Sequence, residues 1–463
     1  MGTEAPRVRI REIELYERPV KLRLPFRFGV VTLTECPQAF VRARIELPDG
    51  RTDWGMAAEM MAPKWFDKNL ALSNEDNFEQ LRDVLRIARG AYLSDGEPAT
   101  SYGHFMRHYD ACLREGARRG YNPLLAGYGP AQVDRAVFDA LCRLLGISFY
   151  DSVRANIPGM PIGDFLATLR PARTIAARHT VGLVDAITRD ELQTPVNDGL
   201  PETLQDVVRT YGHRYFKLKV SGKLEADIER LQKIATVLDR IPEPYHVSLD
   251  GNEQYENAAH VAELVEGIVA CPQLRRMWES TLFIEQPITR KLALETDIAQ
   301  ADLGKQVIVD ESDGEMDSFV VARAHGYAGI SSKTCKGFYK SLTNAARCAQ
   351  WNREEGATRY FMSAEDLTTQ AGLSVQQDLA LVNLLGITHV ERNGHHYVNG
   401  MAAQPAHEQH AFLDAHPDLY ERSHGAVRLR IEKGQLAIGS LACPGFASAA
   451  MPDLQDSAVR QIQ

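Results

Sequence analysis

Between Tyr215 and Lys333 the chain repeats one phrase: a short apolar run that closes on an ionisable side chain. The runs are YFKLK ending at Lys219, HVSLD at Asp250, TLFIE at Glu285, QVIVD at Asp310 and AGISSK at Lys333. Each is rich in β-branched or aromatic residues and is followed by a turn and a helix-periodic segment. Consecutive βα units of a parallel barrel read this way. In such barrels the strand C-terminal ends converge on the active-site face. Three acids and several lysines at successive strand ends are hard to assign to stability, because buried charge is costly unless it is paired or metal-bound.

The same alternation predicts strands near 174–181, 214–219, 245–250, 281–285, 306–310, 328–333, 358–362 and 386–391. Eight strands in about 240 residues match a (β/α)₈ barrel. An open doubly wound sheet is the runner-up, but neither GxGxxG nor GxxxxGK[ST] follows any of the runs. Upstream the grammar differs. Val41, Ala43, Ile45 and Leu47 alternate with Arg42, Arg44 and Glu46 as in a half-buried strand, and Pro48-Asp49-Gly50 signals a turn. Helices are expected from Ser73 to about Ala88, and from Pro130 to a stop at Gly146. At 463 residues two domains are the natural division. We expect an α+β domain over 1–155, a barrel over 156–414, and a tail over 415–463 that returns to the first domain.

Lys217 and Lys219 are two apart, so on a strand they share a face. Side by side they repel, which would lower the pKa of one towards that of a usable general base; the plain alternative is a solvated edge. Asp250, Glu285 and Asp310 are spaced one βα unit apart. Convergent carboxylates repel unless a cation sits among them, and hard oxygen ligands favour Mg²⁺, with Mn²⁺ next. The alternative for Asp250 or Asp310 singly is a helix N-cap. Lys333 should enter the cavity opposite Lys217 and Lys219, with Lys336 as its rival. Cys335 has no identifiable histidine partner and reads as a loop thiol.

This ordered set (KLK, LD, IEQP, VDES and then a lysine on the next strand) resembles the enolase superfamily, specifically its muconate-lactonising branch, with the mandelate racemase branch second because Lys333 stands where that branch uses an Asp–His pair. PFRFG near residue 26 and GPAQVDRAVFDALCRLLG before the barrel resemble that family's capping domain. The resemblance implies a TIM-type barrel under an α+β cap completed by the tail, with Mg²⁺ on Asp250, Glu285 and Asp310. It also implies Lys219 and Lys333 as acid/base groups on opposite faces of a bound carboxylate, with Lys217 tuning Lys219. The implied chemistry is removal of the proton α to a carboxylate, giving a metal-stabilised enediolate, then racemisation, epimerisation or cycloisomerisation. Acid-sugar dehydration is the alternative on the same site, and a catalytically silent ligand-binding relative is the alternative of another class. The TCKGF stretch departs from the double glycine usual after that lysine. Candidate substrate contacts are Phe28, Met60, Trp65, Asn252, Glu365, Asp366 and His395.

Composition excludes other classes. A net charge of −9 without a long basic run argues against nucleic-acid or anionic-membrane partners. Seven scattered cysteines with no CxxC pair suggest reduced thiols. No apolar stretch approaches the ~20 residues that span a bilayer, and MGTEAPRVRIRE has no apolar signal core. A cytoplasmic homo-oligomer acting on a small carboxylate is expected.

Overall fold

The computed structural model describes residues 5–463 apart from 95, 368 and 369, so the first four residues of the expected 1–155 domain lie outside it. The chain opens as an antiparallel meander of β1 (Arg9–Phe28), β2 (Val31–Glu46) and β3 (Thr52–Met60). Alternation decides its faces: Ile13, Leu15, Val41, Ala43 and Ile45 are buried. Helices α1 (Asn74–Leu93), α2 (Ser101–Arg118), the short α3 (Pro123–Ala126) and α4 (Tyr128–Leu145) follow. Ser73 and Asp76 form a reciprocal capping box at the start of α1. Helix α4 begins two residues before Pro130, because Pro lacks only an N–H that the first turn leaves unpaired in any case.

The sheet and α4 meet at Gly55, where a Cβ would lie 2.2 Å from the Ala136 carbonyl oxygen and 2.2 Å from the Ala140 nitrogen. Only glycine allows that approach. Gly55→Ala is expected to cost about 1–3 kcal/mol, as overpacking does, and to lower the thermal midpoint in a calorimetric scan.

The second sheet is parallel. Its strands are β4 (Thr174–Val181), β5 (Tyr215–Lys219), β6 (His246–Asp250), β7 (Thr281–Glu285), β8 (Gln306–Val309), β9 (Gly329–Ser332), β10 (Phe361–Ala364) and β11 (His389–Glu391). They are ordered β10-β9-β8-β7-β6-β5-β4-β11, each neighbouring pair parallel. Burial on both faces explains the near-continuous apolar runs. The sheet is strongly curled, so that its two edges face each other. No backbone ladder joins β10 to β11 among the described residues, but Arg178 on β4 reaches Ser363 on β10 at 3.2 Å. The Asp366 amide donates to Glu391 at 3.0 Å across the same seam.

Two strands begin three residues later than the pattern predicts, and each delay has a local cause. The Asn352 side chain accepts from the Arg359 and Tyr360 amides and donates to the Tyr360 carbonyl, which holds that stretch out of the sheet. Before β11, Gly386 at φ +78° ends the preceding helix in the left-handed region. The tail divides three ways. β12 (Tyr420–Ser423) and β13 (Ala426–Leu429) form their own hairpin, β14 (Gln435–Ala437) pairs antiparallel with β4, and β15 (Arg460–Gln461) pairs with β1. Among the described residues no helix is long and apolar enough to cross a membrane.

Candidate active site

Strand pairing sets the site. On β5, Phe216 and Leu218 pack outward, so Lys217 and Lys219 point inward. The ladder then places Lys219 opposite Asp250, and Asp250 opposite Glu285, in one row across three strands. Asp310 follows the last residue of β8, and Lys333 the last of β9. All six side chains named from the sequence are buried, and hydrogen bonds join them. Lys219 Nζ lies 2.5 Å from Asp250 Oδ2, and Lys333 Nζ lies 2.5 Å from Asp310 Oδ2.

Lys217 sits in a cage. Its ammonium is 2.8 Å from Asp250, 2.8 Å from Glu285, 2.8 Å from Glu365 and 3.1 Å from Glu391. Burial would strip its proton, but Asp250, Glu285, Glu365 and Glu391 together hold its pKa well above the ordinary lysine value. The repulsion from Lys219 expected from the sequence is thus outweighed at Lys217. Among the acids, burial and the neighbouring Asp250 and Glu365 push Glu285 well above the usual carboxylate range. Burial acts the same way on Asp310, but Lys333 and Lys336 overcome it and hold Asp310 well below. Lys336 donates to Asp310 Oδ1 at 3.1 Å and to Ser331 at 2.9 Å, so it props Asp310 from behind.

A narrow cavity of about 20 Å³ opens above this floor, lined by Lys217, Lys219, Asp310, Lys333 and Glu391 below and by Phe26, Phe28, Leu33, Ala62, Trp65 and Leu367 above. Phe26, Phe28 and Leu33 come from the β1–β2 hairpin. Its turn, at Gly29 (φ +48°), faces the β6 loop, and a Cβ there would sit 3.3 Å from the Gln254 Nε2. The Trp65 ring lies over the Lys333 ammonium, 4.3 Å from its centroid. Arg290 holds that loop down, donating to the Trp65 and Phe66 carbonyls at 2.8 Å each and pairing with Glu253 at 2.9 Å. Glu253 also takes Lys68 at 2.7 Å. Arg290→Ala removes the donor to the Trp65 carbonyl, while Phe66 keeps Asn122 at 2.8 Å and Glu253 keeps Lys68 at 2.7 Å. It is expected to cost about 1–3 kcal/mol and to raise amide hydrogen exchange across residues 61–70, read by mass spectrometry.

Of the substrate contacts suggested by the sequence, Phe28, Trp65, Asn252 and Asp366 line the cavity. Met60, Glu365 and His395 do not. Met60 is buried in the first sheet, paired with Gln38. Glu365 lies beneath the cavity, bonded to Arg178 and Lys217. His395 follows the turn after β11 and packs on His179 and His213. Pattern reading missed Arg178 and Glu391 as charge partners of the floor. It also missed Glu311, next to Asp310, whose pKa burial and the nearby Asp310 and Glu253 raise to about 7. An arginine in the middle of a predicted barrel strand was the signal available for Arg178.

No family model matches the chain, and no curated protein matches it significantly. Solved structures do. An enolase from Bradyrhizobium complexed with magnesium and mandelic acid is 16% identical, covering 99% of this chain and 98% of that one at a TM-score of 0.60. A dipeptide epimerase from Enterococcus faecalis, complexed with Mg and the dipeptide L-Leu-L-Tyr, is 13% identical over 95% and 99% of the two chains, at 0.62. The fold is that of the enolase superfamily. A muconate lactonizing enzyme from Pseudomonas fluorescens, complexed with muconolactone, has this enolase-superfamily fold at 17% identity over 97% and 98%, TM-score 0.60.

Proposed function

We propose that the protein is a Mg²⁺-dependent isomerase that removes and returns the proton α to a substrate carboxylate, as a racemase or epimerase. The carrying observation is that Lys219 and Lys333 line one cavity from separate strands, each 2.5 Å from a different carboxylate of the Asp250, Glu285 and Asp310 set. The donor set fits the cation: three hard-oxygen side chains, with Glu285 Oε2 buried and without a hydrogen-bond partner. Asp250, Glu285 and Asp310 would hold Mg²⁺, whose charge stabilises the negative charge that develops on a substrate carboxylate.

The chain's own groups do the rest. Lys219 Nζ takes the α-proton on one side and Lys333 Nζ returns one on the other. Lys217, fixed by Glu365 and Glu391 as well as by the metal carboxylates, keeps the acid cluster neutralised and rigid. The aromatic roof excludes water from the carbanion. In this reading residues 1–155 form the cap, 156–414 a closed (β/α)₈ catalytic barrel, and 415–463 the returning tail. The apolar roof favours an apolar or aryl substituent over the hydroxyls of a sugar acid; the mandelic acid and L-Leu-L-Tyr ligands of the structural neighbours agree with that preference.

The test is α-proton exchange with D₂O, followed by NMR across a panel of aryl and alkyl 2-hydroxy acids and N-acylated amino acids. Exchange of at least one acid is expected, lost on chelation and restored by Mg²⁺. Metal binding with no exchange of any acid would contradict the reading.

A further inference from the structure

A second cluster of ligating side chains lies behind β4. Arg178 and Thr180 point inward, to Glu365 and Glu391, so His179 between them points to the opposite face. There it meets His213, from the segment just before β5, and His395, from the short helix Gly394–Tyr397 after β11. One nitrogen of each ring lies within 4.8 Å of a nitrogen of both others, and all three residues are buried.

Each ring has a nitrogen that is either unpartnered or bonded only within the cluster: His213 Nε2 and His395 Nδ1 have no hydrogen-bond partner, and His179 Nδ1 pairs with His395 Nε2. His213 Nδ1 lies 2.9 Å from the Ala177 carbonyl oxygen, which only an N–H can satisfy. That proton fixes the tautomer and leaves a lone pair on Nε2, which is buried and has no hydrogen-bond partner. His395 Nδ1 is likewise buried and unpartnered. His179 Nδ1 and His395 Nε2 are 3.2 Å apart. Two ligands at about 2.0–2.1 Å from a tetrahedral zinc ion stand nearly that far from each other. Burial, together with neighbouring histidines for His179 and His395, holds all three rings below the ordinary histidine pKa, with His213 at about 4. The rings are therefore neutral near pH 7 and free to ligate. Buried polar atoms in native proteins normally have partners, and an imidazole whose other nitrogen donates to a backbone carbonyl is the usual setting of a metal ligand.

We propose that His179, His213 and His395 bind a transition-metal dication of the Zn²⁺ type, at a site separate from the carboxylate centre. Imidazole nitrogen selects such ions over Mg²⁺, which prefers oxygen. Three rings leave one tetrahedral position for water. The site ties β4, the entry to β5 and the short helix Gly394–Tyr397 beyond Glu391 into one unit.

The experiment uses the full chain, stripped by chelation and then saturated with Mg²⁺ so that the carboxylates are occupied. Zn²⁺ is added and followed by calorimetry, and bound zinc is counted after desalting. One Zn²⁺ per chain is expected, with affinity reduced by roughly 100-fold or more in His213→Gln and His179→Gln. No bound Zn²⁺, or Zn²⁺ held with unchanged affinity by both variants, would overturn the site. Where a histidine variant does not fold, the native chain loaded with Co²⁺ decides. Intense visible bands of a four-coordinate nitrogen site support the proposal, and the weak spectrum of six-coordinate oxygen ligation refutes it. None of these outcomes depends on whether the carboxylate centre isomerises anything.

Discussion

Lys219→Ala is expected to lower turnover by about 10²–10⁴-fold, the contribution of a positioned acid/base group, while fold and Mg²⁺ affinity stay near those of the native chain. Lys219 donates to Asp250 Oδ2, and that oxygen keeps a second ammonium, Lys217 at 2.8 Å, when Lys219 is gone. The loss therefore falls on chemistry and leaves structure intact. Lys217, two residues away on the same face, makes the contrast. Lys217→Ala would leave Asp250, Glu285, Glu365 and Glu391 facing one another without their shared cation, and it should destabilise the chain. Circular dichroism melts alongside proton-exchange rates separate the two. A Lys219→Ala protein with native turnover contradicts the assignment.

Glu285→Gln is expected to weaken Mg²⁺ binding by roughly 100-fold or more, since changing even the hydrogen-bond partners of metal ligands costs about 10–100-fold. Glu285 lies between Asp250 and Asp310 along the strand ends, and its Oε2 is the buried oxygen of the trio left without a partner. The amide keeps an oxygen for Lys217 but loses the charge. Titration calorimetry reads the change directly, and unchanged affinity would remove Glu285 from the ligand set.

How much of this was legible in the sequence follows from what each signal measures. Strand ends were legible because parallel strands buried on both faces read as apolar runs, and an ionisable residue closing such a run stands out. Register then did the rest: Lys219, Asp250 and Glu285 share one row because equivalent ends of adjacent strands pair. The partners of Lys217 were not legible. Glu285, Glu365 and Glu391 come from 68, 148 and 174 residues further along the chain, and local pattern carries nothing about so distant a contact. That is why repulsion within KLK looked decisive and is not. The late start of β10 escaped for the opposite reason, a side-chain cap by Asn352 that apolar periodicity does not register. His395 was legible as a residue beyond the last strand, but which way its short helix would aim it was not.

The central claim is that two amines work on one α-carbon from opposite sides. Its most direct test is α-proton exchange in D₂O measured separately for each enantiomer, or each epimer, of an active acid. Lys219→Ala and Lys333→Ala are both expected to lose interconversion, yet each still to exchange the proton of one hand, with the surviving hand different between them. If both variants keep the same hand, or a single variant still interconverts the two, the lysines do not flank the substrate.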